Sequence, residues 1–371
     1  MPATDPHADD RTFMSRALAL AERGLFTTTP NPHVGCVIVR DGVVIGEGFH
    51  ARAGGPHAEI AALADAHARG HDVRGATVYV NLEPCNHQGR TPPCSRALID
   101  AGVGRIVFAI RDPHKPARGG AAALAAAGID VTEGVLEDEA REINIGFLSN
   151  VTRGIPWVRT KIAASLDGRT ALLNGRSQWI TSAAARTDGH AWRARACAIV
   201  TGVGTVVQDN PAMTVRDIAT TRQPLRIVID RHGDTPPDAR VLDQGNALIV
   251  MAKRKPGVSF GAVETLELPD ANGRVDLLAL LRVLATRGIN ELHVEAGAKL
   301  NGALLDGGLI DEWLVYMAPA IIGDPARGMA DHASPLTELS ARAPLAFHRV
   351  DRVGDDLRVI ARIVRNPSGV H

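Results

Sequence analysis

Apolar residues recur at helical spacing over residues 13–22 (FMSRALALAE), and Arg23-Gly24 ends that run. An apolar, β-branched run at 34–39, the pair Asp41-Gly42 and a second run at 43–49 predict a β-hairpin with a tight turn. The Ala-rich amphipathic stretch 57–69, closed by Gly70, predicts a helix. A strand at 77–82 (TVYVNL) runs straight into Glu83-Pro84-Cys85, and a further helix begins at Pro93 or Cys94 and ends near Gly102. A strand at 105–110, a helix at 120–127, a short strand at 129–132 and a helix at 137–147 follow. Strands alternating with helices imply an α/β layer sandwich.

The pattern breaks at 150–156 (NVTRGIP), where Gly and Pro follow a helix. A boundary there gives domains 1–152 and 153–371. The second part alternates again. It predicts a strand at 157–164, a helix through Arg195 with Thr181 or Ser182 as its cap, and strands at 198–201, 225–230 and 247–251. A helix at 277–287, a buried strand at 291–295, a helix opened by residues 297–302, and late strands at 314–318 and 356–365 complete it.

A length of 371 residues fits two or three domains, and 45% hydrophobic content supplies buried cores. Lys plus Arg and Asp plus Glu each number 41, so the net charge is near zero, which argues against a nucleic-acid partner. No apolar run approaches the ~20 residues of a membrane span. The opening MPATDPHADD lacks the basic and apolar regions of a secretory signal. Four cysteines do not make a disulfide framework. The expectation is a soluble cytoplasmic enzyme, a homo-oligomer being possible.

The candidate chemistry lies in His57-Ala58-Glu59 and in the stretch from Pro84-Cys85 to Cys94. One imidazole and two thiolates suit Zn²⁺, and three protein ligands leave a tetrahedral ion one position for water. Glu59, two residues past the His, is placed to take a proton from that water and hand one to a leaving amine. His-x-Glu, then Pro-Cys and a second Cys, is the signature of zinc deaminases. The competing reading is a closed structural zinc site, for which His87 is the one nearby fourth ligand. Cys36 and Cys197 lie in apolar runs and read as core residues, while His33, His50, His67 and His71 read as ordinary loop, strand or surface histidines. Asn31 is either a turn residue or a ligand contact, and Asp112 follows a strand end where a ligand contact is also open.

Eight residues, Asn86 to Pro93, separate the two cysteines instead of the usual two, bringing His87, Gln88, Arg90 and Thr91 beside the metal. This long form, PC-x-H-x-GRTPPC, together with the upstream TPNPHVGCVIV, resembles the bifunctional pyrimidine deaminase–reductase family of riboflavin biosynthesis. KIAASLDGR, SQWIT, VGTVVQDNPAMTVR and VEAGAKLNGALL extend the resemblance through the second part. It implies a cytidine-deaminase-like α/β/α layer sandwich followed by a dihydrofolate-reductase-like α/β domain, with Zn²⁺ and NADPH as cofactors. The implied metal ligands are His57, Cys85 and Cys94, with Glu59 catalytic.

The same resemblance implies a cofactor site of Ala163, Trp179, Thr205 and Asp209 with the loop Gly297, Ala298, Lys299, Leu300, Asn301, Gly302 and Ala303. It implies a substrate site of Ser177, Arg193, Met213, Arg216 and Glu295; Lys161, on the first strand of the domain, either positions the sugar or donates a proton, or is a solvated strand-end lysine. Arg193 and Arg216 suit a phosphate, since guanidinium pairs bidentately with its oxygens. From the residues alone, 297–303 is either an anion site at a helix start or a plain β–α turn, and no strand-linked G-x-G-x-x-G is present. Arg231 stands where the family can offer a small hydroxyl residue, and pairs with the NADPH 2′-phosphate or is surface charge. The implied reactions are hydrolysis of the 2-amino group of a diaminopyrimidinone ribosylamino 5′-phosphate and reduction of its ribosyl chain to ribityl. The alternative is a nucleoside or RNA base deaminase carrying a non-catalytic ligand-binding domain.

Overall fold

A computed structural model describes residues 8–87, 92–243 and 245–365. The chain divides into two compact units, Met1–Gly154 and Ile155–His371.

The first unit carries helices α1 (Ala8–Glu22), α2 (Ala58–Ala68), α3 (Cys94–Ala101), α4 (Gly120–Ala126), α5 (Glu137–Ile143) and α6 (Ile145–Arg153). Its five-stranded sheet comprises β1 (Gly35–Arg40), β2 (Val43–Phe49), β3 (Thr77–Leu82), β4 (Arg105–Ile110) and β5 (Asp130–Glu133), ordered β2-β1-β3-β4-β5. β1 is antiparallel to β2 and β3, whereas β3, β4 and β5 run parallel. Asp41 and Gly42 have φ of 52° and 74°, the left-handed pair that a two-residue hairpin turn requires. Successive side chains of a strand face opposite ways. Cys36 and Ile38 therefore pack with Ala58, Ala62, Leu98 and Leu124 of α2, α3 and α4. Val37 and Val39 pack with Met14 and Ala17 of α1 and Ala140 of α5. The result is an α/β/α sandwich.

The helix expected at 137–147 is two helices. Asn144 divides them because its side-chain amide pairs with the loop before β1, accepting the His33 N–H at 2.7 Å and donating to the His33 carbonyl at 3.0 Å.

The second unit is built on a nine-stranded sheet. Its strands are β6 (Trp157–Ser165), β8 (Ala198–Gly202), β9 (Leu225–Ile229), β10 (Ala247–Met251), β11 (Glu264–Glu267), β12 (Glu291–Val294), β13 (Glu312–Ala318), β15 (Leu345–Val353) and β16 (Asp356–Ile363). β7 (Ala171–Leu172) and β14 (Ala326–Arg327) form a separate small pair. The order is β11-β10-β9-β8-β12-β6-β13-β16-β15. It is parallel from β11 to β13 and antiparallel in the last three strands.

The helices of this unit are α7 (Ala183–Arg195), α8 (Val203–Asp209), α9 (Leu277–Thr286) and α10 (Ala298–Asp306). Leu280, Leu281 and Leu284 of α9 and Leu304 of α10 cover one sheet face with Val158, Ile162, Val200 and Leu292. On the other face Val206 of α8 meets Ile199 and Val228, and Ala185 and Trp192 of α7 meet Leu314 and Tyr316. Ser182 caps α7, its side chain accepting the Ala185 N–H at 3.3 Å. β11 and β15 escape the hydrophobic pattern because they are edge strands; β11 reads ETLE, and six consecutive residues of β15 are exposed.

Because β12 is inserted between β8 and β6, the carboxyl ends of β9, β8, β12 and β6 lie side by side. The crevice outside such ends, where the strand order reverses, is where open α/β sheets bind ligands. At the opposite ends of these strands lies a buried ion network. Arg159 donates to Glu312 Oε1 at 2.5 Å and Glu291 Oε2 at 2.8 Å, and Arg195 and Arg362 complete the pairing of the two carboxylates. No helix among the described residues is long and apolar enough to cross a membrane.

Candidate active sites

In the first unit, His57 is the residue immediately before α2, extended at φ −69° and ψ 160°. Cys94 is the first residue of α3, after Pro93, and Cys85 lies just past β3. His57 Nδ1 is 3.2 Å from Cys94 Sγ and 3.6 Å from Cys85 Sγ, and the three donor atoms lie within 4.8 Å of one another. Zn–S and Zn–N bonds of ~2.3 and ~2.0 Å at tetrahedral angles give N–S edges of about 3.5 Å, so the donor set fits Zn²⁺ in both chemistry and spacing. It is Nδ1 that faces the sulfurs, a choice the spacing of residues does not make. The Cys94 N–H also points at Cys85 Sγ, at 3.4 Å, so the start of α3 favours negative sulfur.

Hydrogen bonding from Cys94, with help from His57, holds the Cys85 thiol well below its ordinary value despite burial. Cys94 is pushed the other way, by its bond to Cys85 and by burial. Glu59, in the first turn of α2, is 4% exposed. Burial lifts its carboxyl to about 7, the nearby Cys85 charge adding to the effect. A buried, titratable carboxyl thus lies beside the three candidate metal donors.

The surrounding loops are braced by a residue that the motif reading passed over. Glu83, buried at the end of β3, accepts N–H groups from Asp112, Gly119 and Ala121, each at 3.1 Å. It thereby ties the Cys85 loop to the start of α4. Gly120 makes this approach possible, since a Cβ there would sit 1.8 Å from the Pro84 carbonyl oxygen. The one signal for Glu83 in the sequence is a charged residue immediately after an apolar strand.

Asn31 Nδ2 is 2.9 Å from His50 Nε2, while His50 Nδ1 lies 2.8 Å from the Pro56 carbonyl and the His50 ring stands edge-on to His57 at 5.6 Å. His50, read from the sequence as an ordinary histidine, therefore joins Asn31 to the metal ligand. Asp112 is buried and accepts the His114 N–H at 2.8 Å. Gln88, Arg90 and Thr91 lie outside the described residues.

In the second unit Lys161 and Ala163 share one face of β6, and Glu295 follows β12. Arg193, near the end of α7, binds Glu295 through both nitrogens, Nε to Oε1 at 2.5 Å and Nη2 to Oε2 at 2.8 Å. It also donates to the Thr214 carbonyl at 3.0 Å. Burial would raise the Glu295 carboxyl, but Arg193 holds it well below its ordinary range. Burial pushes the Lys161 ammonium below its ordinary range, against the opposing charge of Glu295. Arg216 is exposed; its backbone N–H meets His190 Nδ1 on α7 at 3.2 Å and its Nη1 meets Thr214 Oγ1 at 3.2 Å. Met213, buried with φ 52°, turns this segment toward α7.

Thr205 lies in the first turn of α8 and Asp209 at its last residue. Ser177 is half-buried in the loop before α7, and Trp179 is 69% exposed with the Arg186 guanidinium 4.5 Å over its ring. Gly297 and Lys299 are exposed at the start of α10. By contrast Asn301 is spent inside, donating to the Ala296 and Met329 carbonyls at 3.3 and 2.9 Å, and a Cβ on Gly302 would sit 1.7 Å from the Asp331 carbonyl oxygen. Leu300 packs on the core, and Ala298 and Ala303 flank these residues. Arg231 is exposed and donates through Nε to the Gly273 carbonyl at 2.7 Å.

Comparison with known proteins bears on both units. Residues 7–110 match the family described as cytidine and deoxycytidylate deaminase zinc-binding region, and residues 156–358 match the RibD C-terminal domain. Riboflavin biosynthesis protein RibD of Escherichia coli is 46% identical over 363 residues, covering 94% of this chain and 98% of the relative. The Haemophilus influenzae protein of the same name is 42% identical over 379 residues, covering 98% and 99%.

Among solved structures, Acinetobacter baumannii RibD superposes with a TM-score of 0.87 at 41% identity, covering 96% of this chain and 99% of that one. A Thermotoga maritima diaminohydroxyphosphoribosylaminopyrimidine deaminase/5-amino-6-(5-phosphoribosylamino)uracil reductase gives 0.89 at 35% identity, covering 97% and 100%. Likeness of this extent spans the deaminase and the reductase units alike, so the reading of the second unit as a non-catalytic module falls away. The chain belongs to the RibD family and is a bifunctional enzyme of riboflavin biosynthesis, a zinc-dependent pyrimidine deaminase joined to an NADPH-dependent reductase.

Proposed function

We propose that the deaminase unit removes the 2-amino group of 2,5-diamino-6-ribosylamino-4(3H)-pyrimidinone 5′-phosphate, and that the reductase unit then converts the ribosyl chain to ribityl. The observation that carries the reading is the buried Glu59 carboxyl beside the His57, Cys85 and Cys94 donors. These three would hold Zn²⁺, which when bound polarises a water and brings its pKa toward ~7. Glu59 takes the proton from that water and delivers one to the departing ammonia. Asn31, held by His50, contacts the pyrimidine.

In the reductase unit NADPH supplies the hydride for C1′ of the sugar. Ala163, Trp179, Thr205, Asp209 and the start of α10 form its side of the crevice. The exposed backbone at Gly297 takes the pyrophosphate, and Arg231 takes the 2′-phosphate. Lys161, Ser177, Met213 and Glu295 face the substrate. Arg193 is committed to Glu295, so Arg216 is the guanidinium left for the substrate phosphate.

The test is ammonia release and NADPH oxidation followed together on the diaminopyrimidine phosphate. Both should proceed in equal amounts. Ammonia release without NADPH oxidation would overturn the reductase assignment, and equal release from a tRNA or free nucleoside would overturn the substrate. The balanced charge and absence of a long apolar run support a cytoplasmic enzyme acting away from nucleic acid and membrane. The exposed Phe347 and Val350 on the outer strand β15 support a homo-oligomer, which light scattering of wild type against Phe347→Asp would test.

A further inference from the structure

We propose that His293 is a positioning residue of the reduction, holding the Glu295 carboxylate from beneath so that one oxygen is presented to the substrate; this rests on the reading that Glu295 faces that substrate. Along β12, Leu292 and Val294 enter the core shared with α9 and α10, so Glu291, His293 and Glu295 project from the opposite face, toward α7. Glu291 is saturated by Arg159 and Arg195, and Glu295 is bound by Arg193. His293 lies between these two ion clusters, 0% exposed, with Nε2 3.3 Å from Glu295 Oε1. Both of its ring nitrogens are buried without a hydrogen bond of ordinary geometry. An apolar side chain would fill the same space without leaving two polar atoms unsatisfied, so packing alone does not account for a histidine here.

The surroundings keep the ring neutral. Burial disfavours the imidazolium, and Arg159 and Arg193 add to that, outweighing the attraction of Glu295. A neutral imidazole carries one N–H, and the carboxylate oxygen lies beside Nε2. A carboxylate offers about four acceptor directions. Arg193 takes one on each oxygen, and the His293 N–H takes the second on Oε1 once the carboxylate settles slightly toward it. The direction left over is on Oε2, and that is the atom offered to a substrate hydroxyl.

The experiment compares His293→Leu, His293→Asn and His293→Gln in the full-length enzyme, supplied with the deaminated intermediate. Leu removes the donor, Asn falls short of the Nε2 position, and Gln places an N–H near it. Leu and Asn should raise the KM for the intermediate about tenfold, the effect of losing one hydrogen bond to a charged group. The KM for NADPH and the rate of ammonia release should stay unchanged, and Gln should restore most of the loss. Equal behaviour of all three variants, or a parallel loss of NADPH affinity, overturns the proposal in favour of packing. If Leu does not fold, the Asn–Gln contrast still decides. Glu295→Gln separates the two readings. Wild-type reduction by that variant defeats the Glu295 assignment itself. Slow reduction by Glu295→Gln with full reduction by His293→Leu defeats only the role of His293.

Discussion

Two residues carry the sharpest expectations for chemistry. Glu59 lies in the first turn of the helix that follows His57, without belonging to the three donors. Glu59→Gln keeps the side-chain volume but cannot carry a proton between water and ammonia. It should retain one Zn²⁺ per chain by metal analysis while ammonia release falls ~10²–10⁴-fold or more. Deamination at the wild-type rate by the zinc-loaded variant would remove Glu59 from the mechanism. Arg216 is exposed and lightly engaged, whereas Arg193 is spent on Glu295. A charge-assisted contact is worth roughly 1.5–3 kcal/mol. Arg216→Ala should therefore raise the KM for the phosphorylated intermediate about 10- to 100-fold while leaving a dephosphorylated analogue unaffected. Equal losses on both substrates would mean that Arg216 supports the fold of its loop.

At the scale of elements, the parallel strands of the reductase unit are tied at one end by buried charge. Burial would raise the Glu291 carboxyl, but Arg195 and Arg159 hold it at about 2, below its ordinary 4.5. A carboxyl lowered in the folded state contributes stability that is fully present above its unfolded value and is lost as pH falls toward the folded one. Urea midpoints followed by tryptophan fluorescence should thus hold steady down to about pH 5 and drop between about pH 4.5 and 2. All four tryptophans, Trp157, Trp179, Trp192 and Trp313, lie in this unit, so the signal belongs to it. Arg195→Met should make the acid drop shallower. An unchanged slope would show that other carboxylates dominate the acid transition.

At the scale of the molecule, the residues proposed for the two chemistries are disjoint. The donors His57, Cys85 and Cys94 all precede Gly154, and Lys161, Arg193, Arg216 and Glu295 all follow it. In the proposed reduction Lys161 and Glu295 hold the sugar, and hydride transfer from NADPH then requires no metal. Cys85→Ser should abolish ammonia release yet leave reduction of the pre-deaminated substrate within about twofold of wild type, since sites that share no residues or partners act independently. The check is NADPH absorbance with the intermediate supplied. Loss of reduction in a variant with native circular dichroism would show that the sites are coupled.

The elements legible in the sequence are those whose evidence is local. The Asp41-Gly42 hairpin follows from residues that tolerate positive φ between two apolar runs, and β3, β4 and β10 from short apolar stretches between turn residues. The grouping of His57, Cys85 and Cys94 is legible because imidazole and thiolate at strand and helix ends are informative before any folding is known. The tertiary structure decided what depends on distant neighbours. It turned Nδ1 of His57 to the sulfurs, split the helix at Asn144 to pair with His33, and recruited Glu83 as a brace. It also gave Arg193 to Glu295, 102 positions away, where the family resemblance offered it to a phosphate. Hydrophobic period reports which face of an element is buried. Which charges meet across the sheet is set by strand order, and β12 entering between β8 and β6 is a long-range event that no local spacing encodes.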